Sequence, residues 1–156
     1  MWLIIGYGSS LHADDRFGIV VAEQLRNLVA DDLAEVITTH QLQPELAEPI
    51  SRFAGVIFVD ACTSLPPGEV ACLDLQSRPG PNHEPVSSAF SHATTPRSLL
   101  DCARELYGQA PPGFLYLVGG EDFELGEQMS LTVANMVAPV VSSIVERIKR
   151  GNGAQG

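Results

Sequence analysis

Apolar and β-branched residues cluster in short runs that alternate along the chain with segments of helical spacing. Five such runs predict buried strands, at residues 2–6, 35–41, 55–59, 70–75 and 114–118. Apolar residues three and four apart predict helices between them, from residue 17 onward and at residues 44–50, 96–107 and 130–149. Pro139 lies inside the last of these and is expected to kink that helix or divide it in two.

This alternation of strands and helices predicts an α/β domain with three αβα layers around a mainly parallel, twisted, five-stranded sheet. We expect one domain over residues 1–150 and a disordered polar tail at 151–156. Residues 76–95 show no periodicity and predict a long loop, a feature that is often functional in compact domains. Ligand sites in such folds lie beyond the carboxyl ends of the strands, which indicates residues 6–15, 40–41, 60–64 and 119–122.

Composition narrows the function classes. The chain has 156 residues, 45% of them hydrophobic, which disfavours disorder. Its formal net charge of −10 repels nucleic acid and anionic lipid. Three widely spaced cysteines fit reduced thiols of a cytoplasmic protein rather than a disulfide framework. The short apolar N-terminus predicts no signal peptide, and we expect no stretch of the ~20 apolar residues that a membrane span needs.

The glycine loop after the first predicted strand can be compared with the motif for dinucleotide binding. Gly6 and Gly8 begin the fingerprint G-x-G-x-x-G, but Leu11 stands at the third glycine and the acid expected on the ribose is missing. Asp14 and Asp15 would also place negative charge near a pyrophosphate. The loop therefore disfavours a nucleotide site.

Acidic residues at the predicted sheet edge carry more information. Asp14 fits the cap of the following helix. Asp15 and Asp60 lie at the same edge, although Asp60 also fits a turn role towards residues 63–64. His92, at the head of a predicted helix, reaches the same edge in this topology, and the resulting O,O,N set suits a divalent ion with open water positions. Cys62 is interpreted as packing, because no histidine is placed in sequence to activate it.

Residues 6–18, GYGSSLHADDRFG, resemble the N-terminal motif of the [NiFe]-hydrogenase maturation endopeptidases, G-x-G-N-x-L-x-x-D-[DE]-G-x-G. The resemblance continues in order along the chain, at residues 40–47, 58–61, 91–94 and 118–121. It implies a parallel-sheet α/β fold. It also implies an enzyme that removes a C-terminal peptide from the precursor of the hydrogenase large subunit after nickel has been inserted.

The resemblance implies that Asp15, Asp60 and His92 bind nickel, with Asp15 and Asp60 as the catalytic residues. The nickel is expected to come with the substrate, or another divalent ion to stand in its place. Two residues depart from the family motif, since Ser9 replaces its asparagine and Arg16 replaces its glycine. Arg16 is expected to pair with Asp14 or to meet the substrate. Together with Gln41, Ser9 and Arg16 are the predicted substrate-binding residues.

Two mechanisms remain open at this stage. In one, nickel in the substrate completes its coordination with the three predicted ligands and serves as a recognition element. In the other, the ion polarises the scissile carbonyl and activates water, with Asp15 or Asp60 as general base. We favour recognition first, with hydrolysis aided by the same ion.

We expect a cytoplasmic monomer that meets one large precursor and neither nucleic acid nor membrane. The alternatives are a non-proteolytic metal or maturation chaperone and a flavodoxin-like small-molecule binder.

Overall fold

The computed structural model describes residues 1–76 and 94–154, and within them the chain folds around one five-stranded sheet. The strands are β1 (Trp2–Tyr7), β2 (Ala34–Thr39), β3 (Gly55–Cys62), β4 (Val70–Asp74) and β5 (Gly113–Gly119). Their order is β2-β1-β3-β5-β4. Neighbours pair in parallel except β4, which runs antiparallel to β5 at the edge. The prediction of a mainly parallel sheet is confirmed.

Helices cover both faces of the sheet. They are α1 (Phe17–Leu28), α2 (Ala47–Ser51), α3 (Pro96–Tyr107), α4 (Leu131–Ala134) and α5 (Val137–Ala154). Alternate residues of each central strand face opposite sides, as the pleat requires. Ile4 and Ile57 pack in the cluster that holds α1 and α5, whereas Leu3 and Phe58 pack in the cluster that holds α2 and α3. The predicted three-layer αβα architecture is therefore confirmed.

The prediction for Pro139 is wrong in its detail. The break in the last helical segment falls earlier, at residues 135–136, between α4 and α5. Pro139 is the third residue of α5 and lies in its first turn, where a backbone N–H has no partner inside the helix. The proline is accommodated there without interrupting the helix.

The predicted tail at residues 151–156 is also partly wrong, because α5 continues to Ala154. Gly151 packs against the first strand, since a Cβ at this position would lie 2.8 Å from Cζ2 of Trp2. Residues 155–156 lie outside the described residues, as does most of the predicted loop at residues 76–95.

One segment, Leu131–Gly151, is long and apolar enough to cross a membrane by length and composition alone, contrary to the expectation from sequence. Its apolar stripe faces the sheet in this structure: Val133, Val137, Val141, Ile144 and Ile148 are all buried in the core. The segment therefore packs one face against the domain and leaves most of its other residues exposed or half-buried.

The length of β3 decides where Asp60 lies. The strand continues past the predicted end at residue 59 and reaches Cys62. Its pairing with β1 stops at Val59, opposite Gly6, whereas its pairing with β5 continues through Asp60, opposite Leu117. Asp60 therefore stands at the point where β1 has turned away, with one side of its strand open towards the segment that follows β1.

Gly18 allows that segment to lie close to the sheet. A Cβ at Gly18 would be 2.2 Å from the carbonyl oxygen of Val59 and 2.8 Å from that of Tyr7. Both of those atoms belong to the backbone of strands and cannot move aside independently. The glycine thus holds the first turn of α1, and the residues just before it, against β1 and β3.

We expect Gly18→Ala to lower the free energy of unfolding by about 1–3 kcal/mol, because the methyl group forces α1 away from two strands. Thermal unfolding measures this as a drop of roughly 2–4 °C per kcal/mol for a chain of this size. Gly126→Ala is the matched control, since its added Cβ would meet nothing closer than 4.0 Å. Equal melting temperatures for the two variants would contradict the packing role.

Candidate active site

Asp15 lies in a 3-10 turn, Ala13–Arg16, that leads from β1 into α1. Its side chain is only 5% exposed. One carboxylate oxygen, Oδ2, accepts a hydrogen bond of 2.8 Å from the backbone N–H of Ser9. The other oxygen, Oδ1, is buried and has no hydrogen-bond partner among the residues that the structure describes. Half of the carboxylate is thus fixed and half is unsatisfied.

Asp60 is fully buried, with 0% exposure, inside the last part of β3. Neither of its carboxylate oxygens has a hydrogen-bond partner in the described ranges 1–76 and 94–154. The turn role towards residues 63–64, which the sequence left open, is therefore wrong. A buried carboxylate without partners is rare in folded proteins and is typical of a site that awaits a proton, a cation or a ligand.

Burial raises the pKa of both carboxyl groups, because it disfavours the charged form. It raises the pKa of Asp60 well above the ordinary value, and the negative charge of Asp15 raises it further. The Ala61 N–H and the Tyr7 hydroxyl lower that pKa in part, without giving either oxygen a well-aligned hydrogen bond. Burial also raises the pKa of Asp15, against the opposing influence of the Ser9 N–H and the two nearby imidazoles, His12 and His40.

The two acids therefore share one site, since the charge of one acts on the other. Three unsatisfied carboxylate oxygens, one from Asp15 and two from Asp60, fit the oxygen ligands of a divalent cation. No three metal-binding side chains converge in the described part of the chain. The predicted third ligand, His92, lies outside the described residues, so the complete ligand set stays a prediction.

Ser9 holds the carboxylate of Asp15 through its backbone N–H. Its side chain is buried, and its hydroxyl accepts from the Leu11 N–H at 3.2 Å and shares a hydrogen bond of 2.8 Å with His12 Nδ1. Because its backbone N–H is held by Asp15, it is not presented to a phosphate, which again disfavours a nucleotide site. Ser9 is placed to position the acid, and its predicted direct contact with substrate stays a prediction.

His12 belongs to the site although the sequence assigned it no role. It lies three residues before Asp15, is half-buried, and acts electrostatically on that carboxylate. His40, which the sequence did place at this edge, follows β2 and acts on Asp15 in the same sense. Gln41 is exposed next to it, and its backbone carbonyl accepts from Thr39 Oγ1 at 3.1 Å. Its predicted role in binding substrate remains a prediction.

Asp14 has a different role from the helix cap that the sequence favoured. Its fully buried carboxylate accepts hydrogen bonds from the backbone N–H groups of Glu121 and Asp122, both at 2.8 Å. It also accepts from the N–H of Ser130 at 2.7 Å and from its hydroxyl at 2.9 Å. Asp14 thereby fixes both ends of the segment that follows β5, which we call the 121–130 loop. The capping interpretation is wrong.

Arg16 also binds this loop. Its Nη2 donates to the carbonyl oxygen of Ser10 at 2.6 Å and to that of Gly126 at 2.7 Å. In the part of the chain that the structure describes, it forms no ion pair with Asp14, so that expectation is wrong. The guanidinium joins the loop after β1 to the 121–130 loop, and the predicted contact with substrate stays a prediction.

We expect Arg16→Ala to lower the free energy of unfolding by about 1.5–3 kcal/mol, because two carbonyl groups lose a charged donor. Urea denaturation measures the change. Arg52→Ala serves as the control, since it removes only an exposed pair with Glu48 and should change stability by less than about 1 kcal/mol. Similar small losses in both variants would show that Arg16 does not hold the two loops together.

Cys62 ends β3 close to the site but is fully buried in the cluster that holds α2 and α3. All three cysteines are free thiols. The environment of Cys62 is that of a packing residue, in agreement with its interpretation from sequence.

The fold matches solved structures of hydrogenase maturation proteases. The hydrogenase maturating endopeptidase HybD from E. coli gives a TM-score of 0.76 at 20% identity, over 96% of this chain and 92% of that one. The [NiFe] hydrogenase maturation protease HycI from Thermococcus kodakarensis KOD1 gives 0.71 at 25% identity, over 95% and 92%. HybD from Thermococcus kodakarensis gives 0.72 at 21% identity, over 94% and 97%.

A scan against models of protein families and a search of curated protein sequences find no match. The structural matches confirm the resemblance to hydrogenase maturation proteases that the motifs indicate, and they show that the chain has the fold of those proteins.

Proposed function

We propose that the chain is an endopeptidase that removes the C-terminal extension of the nickel-loaded precursor of a [NiFe]-hydrogenase large subunit. The observation that carries the proposal is the pair of buried, unsatisfied carboxyl groups, Asp15 and Asp60, at the carboxyl edge of the sheet. Asp15 is the second acid of the N-terminal motif, and Asp60 lies in β3, in the stretch 58–61 that also resembles the family. Both stand on a fold shared with hydrogenase maturation proteases. We further expect a cytoplasmic monomer that meets its precursor transiently.

Nickel in this proposal belongs to the substrate. Asp15 and Asp60, with His92, would complete the coordination of the nickel that the precursor carries, or of another divalent ion in its place. When bound, the ion supplies a Lewis acid that polarises the scissile carbonyl and lowers the pKa of a bound water.

Recognition of the loaded precursor follows from the electrostatics of the site. Two carboxylates that are both withdrawn from water repel each other and disfavour their own ionised forms. A precursor that brings a divalent cation compensates both charges, whereas a nickel-free precursor does not. The acids therefore favour the loaded precursor over the empty one before any bond is broken.

The same acids suit proton transfer during hydrolysis. A carboxyl group with a raised pKa is a stronger base when ionised, because its pKa lies nearer to the working pH. The Ser9 N–H holds Oδ2 of Asp15, which fixes the carboxylate and leaves its buried Oδ1 without a hydrogen-bond partner among the described residues. Asp60 has both oxygens available. Either residue meets the requirement for the general base that accepts a proton from the attacking water.

The mass of the partner distinguishes proteolysis from chaperone activity. We expect incubation with the nickel-loaded precursor to release a C-terminal peptide and to shorten the precursor by the mass of that peptide. A non-proteolytic chaperone would bind the precursor and leave its mass unchanged. A flavodoxin-like binder would leave the precursor intact and show saturable stabilisation by a small ligand in thermal unfolding.

A further inference from the structure

The 121–130 loop is held rigidly at the rim of the site. Asp14 accepts hydrogen bonds from both ends of the loop, and Arg16 donates to the carbonyl of Gly126 in its middle. Phe123 packs partly into the core and lies under Gly120. The loop therefore presents its remaining side chains in fixed positions.

Leu125 stands beside His12 in this loop. The two residues form an isolated antiparallel bridge. Its flanking hydrogen bonds run from the Ala13 N–H to the Glu124 carbonyl and from the Gly126 N–H to the Leu11 carbonyl, both at 3.0 Å. This pattern makes His12 and Leu125 a non-hydrogen-bonded pair, in which the side chains share one face and the Cα atoms lie about 4.5 Å apart.

The face that the side chains of His12 and Leu125 share is the one next to Asp15. The imidazole of His12 binds the hydroxyl of Ser9 and acts electrostatically on Asp15. Leu125, next to that imidazole, is 78% exposed. A leucine that a braced loop holds out of the core, on the side of two buried acids, is placed to contact a ligand of those acids.

The charge of the loop narrows the chemistry of that ligand. Residues 121–130 contain Glu121, Asp122, Glu124 and Glu127 and no lysine or arginine. All four carboxylate residues are exposed. An acidic polypeptide would be repelled here, so the segment that covers Leu125 carries no acidic residue at the point of contact. The exposed leucine itself favours an apolar side chain in that segment, because contact removes apolar surface from water.

We propose that Leu125, paired with His12, is a specificity residue that packs against an apolar side chain of the precursor, in the polypeptide segment flanking the cleaved bond. The inference rests on the proposed endopeptidase function and adds to it the residue that selects the precursor by contact with an apolar side chain. Leu125 touches the substrate away from the reacting atoms, so it contributes to binding and not to the chemical step.

The test compares steady-state processing of the nickel-loaded precursor by wild type, Leu125→Ala, Leu125→Met and Leu28→Ala. We expect Leu125→Ala to raise KM about 10- to 100-fold and leave kcat within about twofold, because it removes apolar contact area made equally in the ground and transition states. Leu125→Met keeps that area and should restore KM to within about threefold. Leu28 is 66% exposed at the end of α1, at the opposite edge of the sheet, and its variant should match wild type.

The outcomes separate the two proposals. Thermal unfolding of each variant shows whether the fold is retained, which the exposure of both leucines predicts. Wild-type kinetics for Leu125→Ala, with wild type active, overturn the specificity role and leave the endopeptidase function intact. A fall in kcat with unchanged KM also overturns it. A wild-type chain that leaves the precursor intact overturns the endopeptidase function and this inference with it.

Discussion

Asp60→Asn is expected to reduce processing of the nickel-loaded precursor by at least about 10²- to 10⁴-fold, the range associated with loss of a group that transfers a proton. Asparagine has nearly the same shape as aspartate, but it cannot carry the negative charge that compensates a cation or accept the proton of a water. Asp31→Asn, at an exposed position on the surface, is the matched control and should process at the wild-type rate. Normal processing by Asp60→Asn would show that this carboxylate does not act.

The same variant should be more stable than wild type at neutral pH. Burial raises the pKa of Asp60, so the folded state binds its proton more tightly than the unfolded chain does. Wild type therefore loses stability as the pH rises from about 4 through the raised pKa, and asparagine removes that loss. We expect the free energy of unfolding of the variant to exceed that of wild type at pH 7, and the difference to disappear below about pH 4.

Thermal unfolding of both chains, without metal and at several pH values from 4 to 8, measures this gain. A melting temperature at pH 7 that is higher in the variant, and equal at pH 4, is the expected pattern. Parallel profiles, or a less stable variant at pH 7, would mean that Asp60 has a stabilising partner in the folded chain.

Asp14→Ala is expected to have the largest effect on stability, although Asp14 and Asp15 are neighbours in sequence. The substitution leaves the N–H groups of Glu121, Asp122 and Ser130 without their acceptor. Each part-buried hydrogen bond to a charged acceptor contributes about 1.5–3 kcal/mol, so we expect the loss of three to cost at least about 3 kcal/mol in urea denaturation. Asp15→Ala provides the comparison. It removes a partly unsatisfied buried acid, so it should abolish processing and change stability far less.

The opposite ranking would contradict the roles assigned to the two acids. If Asp14→Ala unfolded at the same urea concentration as wild type, the carboxylate would not be the anchor of the 121–130 loop. If Asp15→Ala were the less stable variant, Asp15 would be a structural residue rather than part of the site.

The elements of the fold could be predicted because their signals are local. The apolar runs that became β1, β3 and β5 are buried on both faces, and a parallel sheet covered by helices requires that composition. Pro139 shows the limit of a local rule. The sequence identifies a residue that disfavours a helix interior, but it does not locate the break: α4 ends at Ala134 and α5 begins at Val137, which leaves the proline in a first turn.

The different roles of Asp14 and Asp15 could not be predicted from the neighbouring sequence. In a 3-10 turn, successive side chains point about a third of a turn apart, so neighbouring acids face different surroundings. Asp14 faces backbone N–H groups that lie more than a hundred residues further along the chain, and such donors leave no mark in a sequence. The predicted topology places Asp15 and Asp60 at one sheet edge and suggests a site for a divalent ion, whereas their roles with nickel and in catalysis come from the resemblance to the family.

The pairing of His12 with Leu125 is non-local in the same way. Each residue alone is unremarkable in sequence, one as a lone histidine and the other as a leucine in an acidic segment. Only the return of the chain after β5 puts them side by side at the rim of the site.

The most direct measurement is the intact mass of the precursor after incubation with the wild-type chain, with nickel-loaded and nickel-free precursor run in parallel at equal concentration. The account predicts that the nickel-loaded precursor loses its C-terminal extension and that the nickel-free precursor keeps it. Shortening of both at the same rate would contradict recognition through nickel, and two unchanged masses would contradict the endopeptidase function itself.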